Sequence, residues 1–233
     1  MTFGEVLVHL LDGFQYTCLI FFFTLLFALP LGLLMSFCSM SKVKIVSVIM
    51  RFIVWIIRGI PLMLQIFMIY YLPGLIDSGG QSPFASIDLY FILNYGLEDM
   101  GRFVAVIIAF SVNYAAYFSE IFRGGIESVP RGQYEAAQVL GMTRGQTFFR
   151  IILPQVVKRI LPPMSNEVIT LVKDTALSRV ILVTELIKAA EDLLAAEKLI
   201  WPLFFTGLFY LIFVGILTLI FHAAEKKLSY YKV

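Results

Sequence analysis

Two long stretches of the chain contain no charged residue, and they limit what it can fold into. No Asp, Glu, Lys or Arg occurs between Gly13 and Ser41 or between Leu199 and Ala224. Because about 20 apolar residues in a helix cross the core of a bilayer, each stretch is long enough to span a membrane. The composition agrees, since 60% of the residues are hydrophobic and the mean hydropathy is +0.88. We therefore expect an all-α membrane protein with a single domain over residues 1–233.

Further hydrophobic segments raise the predicted number of transmembrane helices to five. One surrounds Arg58, and another precedes Arg123 and is almost free of charge. A less hydrophobic one contains Glu167, Lys173 and Asp174. The predicted spans cover residues 13–41, 45–73, 102–123, 157–182 and 198–224, with long loops over 74–101 and 124–156.

The distribution of Lys and Arg predicts which side of the membrane each loop faces, because basic residues near span ends favour the cytoplasm. With five spans, twelve basic residues share one side: Lys42, Lys44, Arg51, Arg123, Arg131, Arg144, Arg150, Lys158, Arg159, Lys226, Lys227 and Lys232. The other side receives three, which are Arg102, Lys188 and Lys198. We therefore predict an external N-terminus, a cytoplasmic C-terminus, an external loop over 74–101 and a cytoplasmic loop over 124–156.

Several common kinds of site are not expected in this chain. Cys18 and Cys38 lie about 30 Å apart on one predicted helix and cannot pair within it. His9 and His222 lie near opposite ends of the chain without neighbouring ligands, so we expect no metal site. Neither a G-x-x-x-x-G-K-[ST] nor a G-x-S-x-G pattern occurs. We therefore expect no nucleotide site and no catalysis by this chain itself.

The predicted cytoplasmic loop contains a helical hairpin with clear end signals. Residues 135–140 favour a helix, and Gly141 can adopt the left-handed conformation that ends one. Thr143 and Gln146 have the spacing of a capping box, which predicts the start of a second helix. Two small residues of the first helix permit another backbone to approach closely, namely Ala136 and Ala137. A hairpin of this kind suggests a docking element for a soluble partner.

The same loop resembles the EAA loop found in permease subunits of ATP-binding cassette importers. The residues that carry this resemblance are Glu135, Ala136, Ala137, Gly141, Ile151, Leu153 and Pro154. Three other segments resemble the polar amino-acid branch of these importers, which takes up histidine, glutamine, arginine or cystine. They read RGIPLMLQ, NYAAYFSEIFRGGIESVPRGQYEAA and LPPMSNEVITLVKDTALSRVI, the last with the triplet Lys173-Asp174-Thr175. The resemblance is weakest over the external loop.

The resemblance implies the type I importer permease fold, in a multi-pass subunit surrounded by the lipid of the bacterial inner (cytoplasmic) membrane. Two permease subunits, identical or related, would enclose a path for a polar amino acid. Cytoplasmic ATPase subunits would bind ATP and Mg²⁺ and dock on the EAA loops, and an external binding protein would deliver the amino acid. This chain would bind no cofactor, and no nucleic-acid partner is expected. The alternative is a self-contained ion-coupled transporter, but we find no internal repeat of spans that favours it.

Charged residues within the predicted fourth span must avoid lipid. Glu167, Lys173 and Asp174 would together cost about 8 to 10 kcal/mol if they faced the hydrocarbon core. They are therefore expected to face protein or a watery cavity. Adjacent Lys173 and Asp174 point about 100° apart on a helix, which favours different partners for the two side chains.

A polar face on the third span is the second half of the predicted path. Asn113, Tyr117 and Glu120 lie at i, i+4 and i+7, and therefore on one side of a helix. The candidate path residues are Asn113, Tyr117, Glu120, Lys173, Asp174 and Thr175. The same charges can instead be ion pairs that hold the helices together, with Glu120 bound to Arg58 or Arg123 and Asp174 bound to Lys173 or Arg179.

The second span is predicted to be kinked. Pro61 removes a backbone donor from an apolar helix, and Arg58 one turn earlier must find an acceptor or extend to the cytoplasmic side. We therefore assign Arg58, Gly59 and Pro61 a structural and gating role rather than contact with the transported molecule.

Overall fold

The computed structural model describes residues 2–76, 83–95 and 99–228, and the regular structure in these ranges is entirely helical, as predicted. The α-helices are α1 (Phe3–Ser39), α2 (Lys44–Gly59), α3 (Leu62–Ile76), α4 (Pro83–Tyr95), α5 (Met100–Glu127), α6 (Arg131–Val139), α7 (Arg144–Thr147), α8 (Leu153–Asp174), α9 (Leu186–Glu197) and α10 (Trp201–Leu228). A π-helical turn (Phe148–Ile152) joins α7 to α8, and a 3₁₀ helix (Thr175–Ile181) follows α8.

Within the described ranges, three helices are long and apolar enough to cross a membrane, namely α1, α5 and α10. They overlap the predicted first, third and fifth spans. Helix α1 begins well before residue 13 because Thr2 and Glu5 form a capping box at its start. The Thr2 backbone N–H donates to a Glu5 carboxylate oxygen at 2.8 Å, and the Glu5 N–H donates to the Thr2 hydroxyl at 3.4 Å.

The second predicted span, over 45–73, is broken rather than kinked. Helices α2 and α3 meet at an angle of 103°, and only when taken together do they qualify as a membrane span. Ile60 between them is extended, with φ −99° and ψ 130°. Pro61 explains this conformation, since a proline disfavours the helical region for the preceding residue and donates no hydrogen bond. The chain therefore changes direction between Gly59 and Leu62.

The predicted external loop over 74–101 contains a helix that the sequence did not indicate. Helix α4 has 13 residues, which is too short to cross a bilayer. It is attached to the start of α5, because the Asp88 carboxylate accepts a hydrogen bond from the Gly101 N–H at 2.6 Å. Residues 77–82 and 96–98 of this loop lie outside the described residues.

The central packing contact of the fold joins α1 to α5, and small residues make it possible. A Cβ placed on Gly32 would lie 2.9 Å from both the Ala115 carbonyl oxygen and the Phe118 Cβ. Glycine at this position therefore allows the two backbones to approach closely, as is common between membrane helices. The packing holds α5 rigidly in the middle of the bundle, where Phe110 and Phe118 are fully buried.

The predicted fourth span corresponds to α8 and the 3₁₀ helix that follows it. Helix α8 runs for 22 residues and ends at Asp174. Beyond the 3₁₀ helix, buried Glu185 caps α9 by accepting hydrogen bonds from the N–H groups of Ile187 and Lys188 at 2.8 and 2.9 Å. The Tyr210 hydroxyl of α10 donates to the same carboxylate at 3.2 Å. This capped junction fixes the far end of the fourth span against α10.

Candidate functional site

A cavity of about 530 Å³ lies where the break between α2 and α3 faces α5 and α8. We call it the central cavity. Its lining is formed by Arg58, Gly59, Ile60, Pro61, Leu62, Asn113, Tyr114, Tyr117, Glu167, Thr170, Asp174 and Leu177. A cation, two carboxylates and several neutral polar groups thus surround one space within an otherwise apolar bundle, and that space suits a polar molecule.

Helical spacing explains how the polar groups reach the central cavity. Asn113 and Tyr117 are four residues apart on α5 and therefore share one face. On α8, Glu167, Thr170 and Asp174 follow the spacing i, i+3 and i+7 and also share one face. The two polar faces are directed at each other, and the break after α2 closes the third side.

Asp174 is held by a tyrosine and not by a cation. Its carboxylate accepts a hydrogen bond from the Tyr114 hydroxyl at 2.7 Å. Arg179 pairs with Glu191 instead, and among the described residues no ion pair joins Asp174 to Lys173. In this structure Asp174 therefore lines the central cavity with Tyr114 as its partner, and its place on the path stays a prediction.

Glu120 is an ion-paired residue. Arg123 donates to its two carboxylate oxygens at 2.6 and 3.2 Å, and a guanidinium nitrogen of Arg58 lies 3.9 Å away. Arg123 also donates to Glu127 at 2.7 Å. The ion-pair alternative for Glu120 is thus the arrangement that forms, and Glu120 does not belong to the lining of the central cavity.

Two further predicted path residues do not line the central cavity either. Lys173 is exposed and is not part of the cavity lining. Thr175 is fully buried, and its hydroxyl donates to the Val172 carbonyl at 2.6 Å within its own helical turn. In the triplet Lys173-Asp174-Thr175, only the aspartate contributes to the cavity.

Three polar lining residues were absent from both the predicted path set and the predicted gating set, namely Tyr114, Glu167 and Thr170. The signal for Glu167 and Thr170 was available, because both share a helical face with Asp174 and the charge of Glu167 already required protein or water. Tyr114 gave no such signal, since it is one aromatic residue among the apolar residues of α5.

A second cavity, of about 510 Å³, adjoins the central one. Its lining is formed by Arg58, Tyr117, Glu120, Ile121, Gly124, Gly125, Ser128, Arg159, Pro163 and Glu167. Both cavities share Arg58, Tyr117 and Glu167. The Arg58 guanidinium lies 5.0 Å from the centroid of the Tyr117 ring, a cation–π contact. Arg58 and Tyr117 therefore form a partition between the two cavities.

The hairpin after α5 has the local structure that its end signals predicted. Gly141 is left-handed, with φ +68°. The Gly141 N–H donates to Gln138 at 2.9 Å and the Met142 N–H donates to Ala137 at 3.0 Å, which together form a Schellman motif. Thr143 then caps α7, with the reciprocal hydrogen bonds to Gln146 in place.

The residues that carry the EAA resemblance differ in exposure. Glu135 and Ala136 are exposed on α6, whereas Ala137 is buried within this chain. Leu153 is half-buried at the start of α8, and Pro154 beside it is exposed. Large apolar side chains project from the hairpin, namely Val139 (87% exposed), Leu140 (76%) and Phe149 (67%). Ala137 thus belongs to the inside of the hairpin, and the outer surface carries exposed apolar side chains among charged and polar ones.

Most of the chain matches a known protein family. The family described as "Binding-protein-dependent transport system inner membrane component" matches residues 28–230. The chain belongs to this family. Its members named among the relatives are permease subunits of amino-acid transport systems.

Two relatives from Bacillus subtilis (strain 168) cover nearly the whole chain. The L-cystine transport system permease protein TcyB is 35% identical over 94% of this chain and 86% of its own length. The arginine transport system permease protein ArtQ is 35% identical over 94% of this chain and 92% of its own length. These family members place the chain among multi-pass membrane permease subunits and do not support a self-contained ion-coupled transporter.

Solved structures give the same fold. A crystal structure of an amino acid ABC transporter with histidines matches with a TM-score of 0.78 and 26% identity over 96% of both chains. A structure of the MetNI methionine ABC transporter matches with a TM-score of 0.65 and 16% identity, over 98% of this chain and 99% of the other. The chain therefore has the type I importer permease fold.

Proposed function

We propose that the central cavity is the place where a polar amino acid crosses the membrane, in a permease subunit of an ATP-binding cassette importer. The observation that carries this proposal is the pairing of one cation with two carboxylates around one cavity, namely Arg58 with Glu167 and Asp174. A free amino acid has a carboxylate, which a guanidinium binds well, and an ammonium group, which a carboxylate binds. Because Arg58 lines the cavity, the proposal gives it contact with the transported molecule in addition to the gating role expected from the sequence. Asn113 and Thr170 supply neutral groups for the side chain of the amino acid.

The relatives support an amino acid as the transported molecule. The two with 35% identity are named for L-cystine and for arginine. Both of these amino acids carry more than one charged or polar group. A cavity with charges of both signs and neutral donors is suited to that class.

The path extends from the central cavity into the second cavity. Arg58 rests on the ring of Tyr117 between them and lies 3.9 Å from Glu120. Movement of Arg58 off the ring joins the two cavities, so this residue acts as the gate of the path. Arg58 lies in the last turn of α2, directly before the break that Gly59 and Pro61 form.

The five-span arrangement follows if the broken pair α2 and α3 is the second span and α8 with its 3₁₀ extension is the fourth. The count of basic residues then places the N-terminus outside, the C-terminus and the hairpin in the cytoplasm, and α4 on the outer side. The family description and the bacterial relatives support the inner membrane as the location.

The hairpin is the coupling element that binds a cytoplasmic ATPase. Its exposed apolar side chains, Val139, Leu140 and Phe149, offer a surface that a partner protein can cover. Glu135 and Ala136 lie on the exposed side of the same helix. ATP and Mg²⁺ bind to the ATPase, whose closure moves the hairpin and, through α5 and α8, the walls of the two cavities.

Two further partners complete the proposed importer. An extracytoplasmic amino-acid-binding protein delivers the substrate, and a second permease subunit, identical or related, encloses the path from the other side. Helix α10 has few buried residues in the single chain, Pro202 and Thr206, so lipid and the second permease together cover its exposed side.

Transport by the reconstituted complex tests the proposal. Proteoliposomes that contain this permease with its ATPase and binding protein are assayed for uptake of radiolabelled arginine and, separately, cystine. We expect at least one of these two amino acids to be taken up. Its uptake should require ATP and the binding protein and should continue when an ionophore is added. Competition with unlabelled histidine, glutamine and glutamate then ranks the substrates. Uptake that runs on an ion gradient without ATP would establish the ion-coupled alternative.

Thiol labelling tests the topology separately. Single cysteines are placed at Ser41, Gly145 and Ser86 in a chain that lacks Cys18 and Cys38, and intact cells are treated with an impermeant reagent. We expect labelling at Ser86 on α4 and protection at Ser41 and Gly145. Protection at Ser86 together with labelling at Gly145 would reverse the proposed orientation.

A further inference from the structure

The break between α2 and α3 leaves backbone carbonyl groups that need donors. The last four carbonyl groups of a helix have no partner within it, and an unsatisfied backbone group is costly at membrane depth. The Ile60 N–H donates to Ile56 at 3.2 Å, but Pro61 has no N–H to offer. The carbonyl of Ile57 and that of Ile60 itself must therefore be satisfied by another group.

Gln65 supplies both missing donors. Its side-chain nitrogen Nε2 donates to the Ile57 carbonyl at 2.7 Å and to the Ile60 carbonyl at 2.8 Å. A glutamine amide has two N–H groups, so both are used here. Gln65 is only 7% exposed, which keeps water from replacing it.

The position of Gln65 connects these hydrogen bonds to the path. It lies on the first turns of α3 and reaches back across the break to the end of α2. The residues between these two points, from Arg58 to Leu62, form one wall of the central cavity. A change in the break therefore moves the wall that carries the guanidinium of Arg58.

We propose that Gln65 is a positioning residue that holds the helix break in shape and thereby sets where Arg58 and Gly59 stand in the wall of the central cavity. Gln65 does not line the cavity itself, so it acts through the backbone of the break. The inference concerns the shape of the wall and is independent of which molecule crosses the membrane. If the proposed transport function were disproved, the inference about Gln65 would therefore be unaffected. Equally, disproof of the inference about Gln65 would not affect the transport proposal.

Thiol reactivity at Gly59 reports on the wall directly. Gly59 is exposed at the cavity, and a Cβ added there would meet no atom within 4 Å. Gly59→Cys is introduced in a chain with Cys18→Ala and Cys38→Ala, and the complex with its ATPase is purified and reconstituted. The modification rate by a small charged methanethiosulfonate reagent is then measured for the fraction that is assembled.

Two substitutions remove the donors, and one matched change serves as control. Gln65→Leu and Gln65→Met both lack N–H groups, and Met also keeps the unbranched length of the side chain. Gln15→Leu makes the same chemical change on the exposed side of α1. Within the described ranges the Gln15 side chain makes no hydrogen bond, so this variant is the control. The modification rate is expressed per assembled complex. A change in the position of the cavity wall can then be distinguished from a loss of folded protein.

Loss of two hydrogen bonds favours rearrangement of the break, so we expect both Gln65 variants to change the modification rate at Gly59→Cys about tenfold. Gln15→Leu is expected to leave the rate unchanged. The proposal would be overturned if the modification rate in both variants stayed within about twofold of the rate in the chain that keeps Gln65. The break would then keep its shape without these two hydrogen bonds. A fall in assembled complex with the same rate per complex would also overturn it, by reducing Gln65 to a folding role.

Discussion

The Tyr114 hydroxyl on α5 donates a hydrogen bond of 2.7 Å to the Asp174 carboxylate at the end of α8. Tyr114 is almost fully buried, whereas Asp174 is partly exposed to the central cavity. The bond therefore joins two helices that carry the polar faces of the cavity. It also restrains the Asp174 carboxylate where it lines the central cavity.

Removal of this hydroxyl is expected to impair transport without disturbing the fold. Tyr114→Phe keeps the ring, which packs on Phe110 and Phe118. A hydrogen bond to a charged group contributes about 1.5 to 3 kcal/mol, so misplacement of Asp174 should lower uptake roughly tenfold or more. The measurement is the initial uptake rate per assembled complex in proteoliposomes.

Tyr71→Phe is the matched control for that change. Tyr71 is exposed on α3, and within the described ranges its hydroxyl makes no hydrogen bond. Its substitution should leave uptake unchanged. Equal uptake by the Tyr114 and Tyr71 variants would show that the bond to Asp174 has no part in transport.

Glu120 is expected to contribute to stability more than to recognition. Glu120→Gln removes the charge that Arg123 binds at 2.6 and 3.2 Å, and we expect a loss of about 1 to 3 kcal/mol in the free energy of unfolding. Glu127→Gln removes the other, more exposed partner of Arg123 and should cost less. Thermal unfolding of the purified complex measures both effects.

The amino-acid concentration at half-maximal uptake decides the role of Glu120. It should stay the same in Glu120→Gln, because Glu120 lies outside the lining of the central cavity. A raised half-maximal concentration with unchanged thermal stability would instead make Glu120 a residue that binds the amino acid.

The predictions that depended on near neighbours in the chain agree with the structure. Gly141 ends a helix and Thr143 caps the next one, because both signals act within a few residues. Asn113 and Tyr117 line the cavity because helical spacing alone places them on one face. The resemblance to importer permeases supplied the fold class, which local patterns cannot specify.

Choices between distant partners could not be predicted in the same way. Glu120 had two arginines within reach: Arg123 is its i+3 neighbour on α5 and binds it closely, whereas the 3.9 Å approach of Arg58 depends on the packing of α2 against α5. Pro61 predicted a missing donor, but the sequence did not indicate that Gln65 would satisfy the freed carbonyl groups. Asp174 binds Tyr114, sixty residues away, a pairing that no local spacing encodes.

Gly141→Val is expected to uncouple the hairpin from its partner. A residue with a Cβ in the left-handed region costs roughly 1 to 2 kcal/mol, and a β-branched side chain is among the least tolerated there. The Schellman hydrogen bonds at Gly141 and Met142 should open and displace the exposed Val139 and Leu140. We expect at least a severalfold loss of ATPase in co-purification with the permease, with the permease still inserted in the membrane.

Two controls accompany this change. Gly141→Asn should retain most of the ATPase, because asparagine tolerates the left-handed conformation. Gly145→Val adds the same side chain at a hairpin glycine that has an ordinary φ and open space around it. Normal co-purification by Gly141→Val would mean that the left-handed turn is not needed for docking.

The central claim is that Asp174 and Glu167 belong to the path of the amino acid, and ATP-dependent uptake by charge-neutral variants tests it most directly. Asp174→Asn and Glu167→Gln are compared with Asp12→Asn, which makes the same change at an exposed position on α1. Uptake is measured per assembled complex, together with the basal ATPase rate. Loss of one charge-assisted hydrogen bond predicts a fall in uptake of about tenfold or more for the two cavity variants, with normal ATPase and an unaffected Asp12→Asn. Uptake by both cavity variants equal to that of Asp12→Asn would contradict the account.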